Sequence, residues 1–207
     1  MREEFLKRLS EDRLWRAREL SDLRTLHEHA GCMREQKLTS RCVVLLSYAH
    51  WERYCADCVN TFVDYSEAMG FTYDQLPKDL VIGAVSSALD SYRDRADNVR
   101  TRLELLNALE GVAASPFSGF DRTVILPRSN LNFERLKFIF STMDADINPF
   151  QKHRIRIDRE LVGWRHPVAH GEMFILDHSK VTSHTQFCDE LMFLMKDTFE
   201  SALYVLS

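Results

Sequence analysis

The sequence is poor in residues that interrupt regular structure, with 7 glycines and 5 prolines among 207 residues. It also lacks a long apolar run: the strongest, Cys42 to Leu46, is far short of the roughly 18 residues that a membrane span needs. Positive charge is not in excess, since 27 Lys and Arg stand against 31 Asp and Glu. This balance argues against a protein that coats nucleic acid through its overall charge. We expect one folded, soluble domain with no membrane segment.

Cysteines are few and irregularly spaced, at positions 32, 42, 55, 58 and 188. An odd number at such spacing is not a disulfide framework, and with a charged N-terminal stretch it favours a reducing, cytoplasmic location. Cys55 and Cys58 form a lone Cys-x-x-Cys pair inside a predicted helix, which favours two core cysteines over a metal or redox site. There is no glycine-rich phosphate loop or metalloprotease spacing, so we expect neither a metal nor a cofactor.

Apolar residues recur every three or four positions through most of the chain, which predicts helices. The predicted class is all-α, a single domain over residues 1–207 in which residues 1–38 form an N-terminal helical extension. His27 and His29 lie on a charged helix and are expected to face solvent. Asn130 or Asn132 is expected to cap the helix that begins at 133. The predicted helices span about 3–29, 40–68, 80–92, 94–109, 133–143, 155–169 and 185–206.

One predicted helix, residues 155–169, contains both Gly163 and Pro167. A helix interior loses about 1 kcal/mol to glycine and about 3 kcal/mol to proline, so the sequence accepts a local cost here. Functional sites commonly carry such costs. His166 and His170, four residues apart, share a helix face, and a kink at Pro167 would bring Arg165 towards them.

The segment Arg165-His-Pro-Val-Ala-His170-Gly171 resembles the Arg-x4-His motif of the HEPN superfamily, whose commoner form is Arg-Asn-x-x-Ala-His-Gly. The spacing alone is uninformative, because Arg24 and His29 have it too. The context is informative: the Ala before His170, the Gly after it, and the position before a final helix. The resemblance is closest to bacterial proteins of the RiboL-PSP type, which also carry an aromatic-rich helix with a glutamate, here Tyr48-Ala-His-Trp-Glu52-Arg-Tyr54.

This resemblance implies a single-domain helical bundle of the HEPN type, with a kinked motif helix near Arg165–His170. It also implies a metal-independent endoribonuclease that leaves 2′,3′-cyclic phosphate and 5′-hydroxyl ends. Such enzymes act as homodimers with a composite site, and a bacterial toxin or antiviral-defence effector would need an antitoxin or other partner protein to restrain it. The alternative is a non-catalytic HEPN-type module that binds RNA, a nucleotide or a partner nuclease.

The expected catalytic residues divide the work of RNA cleavage among them. His170 is expected to be the general base or acid, and Arg165 the group that binds the phosphate and stabilises the transition state. His166 stands where the commoner motif has Asn. It is either the complementary acid or a residue that positions Arg165.

Glu52 is an auxiliary candidate with two interpretations. In the first, it orients Arg165 from the neighbouring helix. In the second, it is a helix-surface carboxylate paired with Arg53 or Arg159. The sequence leaves both open.

Basic residues are concentrated beside the motif, although the whole chain is acidic. Residues 151–170 hold five Lys and Arg against two Asp and Glu, a local net charge of +3. We expect Arg154, Arg156 and Arg159 to bind the RNA backbone. Trp164 is expected either to stack on a base or to pack in the core. The pattern predicts a small RNA site whose affinity falls with salt.

Overall fold

A computed structural model describes residues 2–94, 98–126 and 130–206 of the chain. Within these ranges the regular structure is helical, and β pairing is limited to an isolated bridge between Thr72 and Pro116. The predicted all-α class is confirmed. No helix in the described ranges combines the length and the apolar character needed to cross a membrane. The α-helices are α1 (Arg2–Glu28), α2 (Met33–Ala68), α3 (Asp79–Ala84), α4 (Ser86–Asp94), α5 (Val99–Val112), α6 (Phe133–Thr142), α7 (Asn148–Gln151), α8 (Arg154–Arg156), α9 (Gly163–Ala169) and α10 (His178–Val205).

The three longest helices, α1, α2 and α10, pack against one another. Arg8 pairs with Asp64 at 3.1 Å, and His27 lies 3.2 Å from the Ser40 hydroxyl. The residue number on α2 thus falls as that on α1 rises, so the two helices are antiparallel, as their short connection requires. This pair forms one side of the bundle.

The last helix, α10, is also antiparallel to α1 and therefore parallel to α2. Near one end of the pair, the Arg2 guanidinium on α1 lies 4.8 Å from the centroid of the Tyr204 ring on α10. Near the other, His27 stacks on His178 with ring centroids 6.3 Å apart. The contacts again run in opposite directions along the two helices. The return of α10 closes the bundle around a shared core.

Aromatic side chains from distant parts of the sequence fill this core. Phe140 on α6 packs edge-to-face against Phe150 at 5.1 Å and against Phe199 at 5.6 Å. Such pairs add about 0.5–1.5 kcal/mol to the free energy gained from burial alone. The largest fully buried side chains include Trp51, Tyr54, Tyr65, Phe62, Phe117, Phe133, Phe140, Phe150, Phe187 and Phe199.

Cys55 and Cys58 both lie in the core on α2. Burial raises the pKa of each thiol above its ordinary value. Because the thiolate is the reactive and metal-binding form, both thiols are held in the inert state. The prediction of two core cysteines is confirmed.

Two sequence-based expectations differ from the structure near the N-terminus of α10. His27 is buried, not solvated: its ring lies 3.2 Å from both the Ser40 hydroxyl and the Leu176 carbonyl oxygen. The periodicity of α1 alone could not reveal this, because the partners come from α2 and from the segment before α10. That helix also begins earlier than expected, because the Asp177 side chain accepts the Lys180 N–H at 2.8 Å and caps it.

Candidate active site

The motif helix is irregular one turn before the proline. Residues Ile157–Val162 form a π-helical turn, in which the Gly163 N–H donates to the Asp158 carbonyl five residues back. A Cβ at position 163 would stand 3.2 Å from that carbonyl oxygen. The glycine therefore allows the tight turn, and the backbone irregularity begins upstream of Pro167.

Packing and one hydrogen bond hold this turn in place. Ile157 and Leu161 are fully buried in the core. The Asp158 carboxylate accepts the backbone N–H of Phe133 at 2.8 Å, which ties the turn to the first residue of α6. The π turn is thus fixed from the core side and from α6.

The motif helix ends in a Schellman motif. Gly171 has φ +85°, its N–H donates to the Val168 carbonyl at 3.1 Å, and the Glu172 N–H donates to the Pro167 carbonyl at 3.0 Å. His170 is the C-cap residue directly after α9, and its N–H donates to the His166 carbonyl at 3.2 Å. Pro167 has no N–H to donate to the Gly163 carbonyl, which is a cost within the helix. The helix end presents His170 to solvent.

The two motif histidines meet at this end of the helix. Their rings contact edge-to-face, with centroids 4.5 Å apart, and both residues are exposed. The prediction that His166 and His170 share a face is confirmed. Imidazole is a side chain that can serve as a general acid or a general base.

The Arg165 side chain packs against α2 and the segment before α6. Its guanidinium lies over the Tyr48 ring, 4.8 Å from the centroid, and donates to the Asn130 side-chain oxygen. A cation over an aromatic face contributes about 0.5–2 kcal/mol. The Asn130 oxygen accepts a hydrogen bond from one of the five N–H groups of the guanidinium. The planar fork of these groups suits phosphate oxygens.

The Tyr48 hydroxyl is hydrogen-bonded on both sides. It donates to the Glu52 carboxylate at 2.6 Å and accepts the Leu131 N–H at 2.8 Å. Burial, with the hydrogen bond to Glu52, raises the pKa of Tyr48 above its ordinary value, so the hydroxyl keeps its proton. The Tyr48 ring beneath Arg165 is therefore held firmly.

Glu52 reaches the site through Tyr48. No ion pair joins it to Arg165, and among the described residues Arg53 pairs with Asp57 at 3.0 Å instead. The second interpretation of Glu52 assumed an ion pair with Arg53 or Arg159, and the described residues show neither pair. The structure instead gives it the role of holding the tyrosine on which Arg165 rests.

The neighbouring arginines that are expected to bind RNA differ in the contacts that they make within the protein. Arg156 is engaged: it donates to Glu160 at 2.9 Å and to the Ser183 hydroxyl at 2.7 Å, and it lies over Phe187. Arg154 is exposed and pairs with Glu134 at 3.3 Å. Arg156 therefore serves the packing of the motif helix on α10.

Trp164 is half-buried, stacked on His184 at 5.0 Å and tilted against Phe174 at 5.7 Å. Glu160 lies in the same cluster. Burial by itself would raise the pKa of Glu160, but the interactions with His184 and Arg156 outweigh this effect, and the pKa lies below its usual value. Glu160 is thus the ionised centre of a packed cluster. Trp164 takes the packing alternative of its two sequence-based interpretations.

Tyr48 and Asn130 are site residues that sequence reasoning missed. Tyr48 was visible in the aromatic-rich segment of α2, but its position on an apolar stripe favoured a core role. Asn130 was considered as a helix cap, and the structure gives that role to Asn132, whose side chain accepts the Arg135 N–H at 2.9 Å. Within the described ranges, no group of three or more His, Cys, Asp or Glu is arranged to hold a metal ion.

Comparison with known proteins agrees with the helical fold. The sequence model of one family, HEPN_MAE_28990-like HEPN, matches residues 5–204. The chain belongs to the HEPN superfamily. The narrower RiboL-PSP placement stays a prediction. No curated protein and no solved structure gives a significant match.

Gly171→Ala is expected to destabilise this HEPN domain by about 1–2 kcal/mol, because an L side chain is strained at positive φ. The matched control is Gly111→Ala in α5, where a Cβ meets nothing within 4 Å and alanine is the better helix former, by about 1 kcal/mol. Urea denaturation should move the two midpoints in opposite directions. A shift of the same sign for both would contradict the role given to Gly171.

Tyr48→Phe keeps the ring under Arg165 but leaves the buried Leu131 N–H without its acceptor. We expect a loss of about 1–3 kcal/mol in the free energy of unfolding. Tyr92→Phe is the control, because Tyr92 is exposed and its change should stay within about 0.5 kcal/mol. Equal stability of the Tyr48→Phe variant and wild type would show that the hydroxyl does not anchor this segment.

Proposed function

We propose that the protein is a metal-independent endoribonuclease with its site at Arg165, His166 and His170. The observation that carries the proposal is the exposed histidine pair, with ring centroids 4.5 Å apart, beside an arginine held on Tyr48 and Asn130. Membership of the HEPN superfamily supports an RNase or a nucleotide-binding module. Two exposed imidazoles favour the RNase.

The reaction needs a base, an acid and a stabiliser of negative charge. One imidazole takes the proton from the ribose 2′-hydroxyl, and the 2′-oxygen then bonds to phosphorus. The 5′-oxygen leaves and takes a proton from a second acid. The products are a 2′,3′-cyclic phosphate and a 5′-hydroxyl, while the Arg165 guanidinium binds the non-bridging oxygens. The required 2′-hydroxyl makes RNA the substrate.

A second copy of the chain would complete this site. The attacking and leaving oxygens lie roughly in line on opposite sides of phosphorus, whereas His166 and His170 touch and so approach from one side. A single chain therefore supplies one of the two proton-transfer groups in good position. We infer that the partner copy supplies the other, in a homodimer.

The outer face of α2 supports such a dimer. Leu38, Leu45 and Ala49 are exposed and Cys42 is half-buried, at the alternating spacing of four and three residues that two packed helices share. Tyr48 and Glu52 lie on the same helix. Burying this face against a second copy would bring the two motifs close together.

An enzyme that cuts cellular RNA harms its own cell unless it is restrained. We therefore extend the proposal to a bacterial toxin or antiviral-defence effector that acts in the cytoplasm and is held inactive by a partner protein. The outer face of α2 is one surface where such a partner would block dimer formation.

The catalytic roles are tested with purified protein and RNA in EDTA. We expect wild type to cleave, His170→Ala to lose about 10²–10⁴-fold in rate as an acid–base residue, and Arg165→Gln to lose about 10²–10³-fold. Cyclic-phosphate ends are detected by resistance of the 3′ end to poly(A) addition.

Arg24 and His29 are the matched controls, because they have the same spacing as Arg165 and His170 but lie at the C-terminal end of α1, Arg24 within it and His29 directly after it. Arg24→Gln and His29→Ala should cleave at the wild-type rate. Uncut RNA with wild type would leave the non-catalytic HEPN module as the better description. Cleavage that stops in EDTA would contradict the metal-independent mechanism.

Leu45→Asp is expected to convert a dimer to a monomer and to abolish cleavage, while circular dichroism shows the wild-type helix content, because Leu45 lies outside the buried core. Light scattering coupled to gel filtration measures the mass. Leu103→Asp on α5, also an exposed leucine, is the control and should stay dimeric. A dimeric, active Leu45→Asp variant would move the interface elsewhere.

A further inference from the structure

The motif helix has a continuous exposed ridge that ends at the histidine pair. We define this outer ridge as Ile155, Arg159, Gly163, His166 and His170, each of which is exposed. Their spacing of four, four, three and four residues places them along one face. The ridge therefore carries one guanidinium, at Arg159, and two imidazoles, at His166 and His170. It has no side chain at Gly163 and no carboxylate.

The acidic neighbours of Arg159 are turned away from this ridge. The Asp158 carboxylate accepts the Phe133 N–H at 2.8 Å, and the Glu160 carboxylate accepts from Arg156 at 2.9 Å. Both contacts lie on the inner side of the helix. Both carboxylates are therefore engaged by groups other than Arg159.

The three arginines before the motif differ in what engages them. Arg156 is committed to Glu160, Ser183 and Phe187, and Arg154 pairs with Glu134. Within the described part of the chain, Arg159 forms no ion pair. It is the arginine of the three that can turn to an anionic ligand on the ridge without giving up such a contact.

Gly163 leaves the ridge without a side chain between Arg159 and His166. Glycine spares the π turn a close contact, because a Cβ would stand 3.2 Å from the Asp158 carbonyl oxygen. The same absence of a side chain opens a shallow gap on the exposed side. A polymer could pass from the arginine to the histidines without meeting a side chain there.

We propose that the outer ridge is a binding track for the sugar–phosphate backbone of single-stranded RNA, with Arg159 on a phosphate remote from the cleaved one. Seven residues separate Arg159 from His166, about 10 Å along a helix axis. With a stacked strand rising about 3.4 Å per nucleotide, the phosphate at Arg159 lies about three nucleotides from the scissile bond. The inference rests on the proposed function, which places the scissile phosphate at the histidines.

Binding tests the track without cleavage. Fluorescence anisotropy with labelled U10 and A10 is measured over a range of salt, in the His170→Ala background. Arg159→Gln should weaken binding to both oligonucleotides alike, because a phosphate contact carries no base information. It should also reduce the slope of log K against log salt by about 0.7, the value for one contact to a single strand.

Arg100→Gln in the same background is the matched control, because Arg100 is an exposed arginine on α5, paired with Glu104 at 3.1 Å. It should leave the slope unchanged. A slope unaffected by Arg159→Gln, or lowered equally by Arg100→Gln, would overturn the track. An effect on A10 alone would also overturn it, since it would indicate a base contact.

Kinetics separate the track from the catalytic groups. A dinucleoside monophosphate has only the scissile phosphate, so Arg159→Gln should leave its cleavage unchanged, while raising KM and sparing kcat for a decamer. Equal losses on both substrates would overturn the proposal. If wild type cleaves neither substrate, the endoribonuclease proposal fails. The anisotropy measurements still show whether the outer ridge binds RNA through Arg159.

Discussion

A buried backbone must be hydrogen-bonded, and at Leu131 both of its groups are satisfied by side chains of α2. The Leu131 N–H donates to the Tyr48 hydroxyl, and its carbonyl accepts the Trp51 indole N–H at 3.2 Å. Leaving either group unpaired would cost about 1–3 kcal/mol. This constraint fixes the adjoining Asn130, which in turn accepts from Arg165. The position of the motif arginine thus depends on a hydrogen-bonding requirement of the core.

The same stretch of chain also supports the motif helix from its other end. Two residues after Leu131, the Phe133 N–H donates to Asp158 in the π turn. Gly163 spares the turn a close contact with the Asp158 carbonyl, and its missing side chain leaves an open place on the outer ridge. The backbone arrangement that satisfies the hydrogen-bonding groups of the interior therefore also shapes the exposed surface. The same residues serve the packing of the core and the proposed function. This explains why the motif helix keeps a glycine and a proline, which are unfavourable in a helix.

Much of the fold could be predicted from sequence because apolar periodicity is a local property. The long helices and the shared face of His166 and His170 follow from spacing alone. Contacts between distant segments have no such local signal. Arg156 was predicted as a ligand for RNA, yet it is committed to Ser183, 27 residues away. Trp164 likewise packs on His184, a partner that no spacing rule identifies.

By itself, the sequence determined the all-α class, the core cysteines and the motif of Arg165 and His170, since each depends on neighbours within a few turns of helix. Tertiary structure decided how these residues are used. It placed Arg165 on Tyr48, directed Glu52 to the tyrosine, and left Arg159 on the outer ridge. The physical reason is that burial and hydrogen-bond pairing depend on which segments meet, and that choice is made by the packing of the whole bundle.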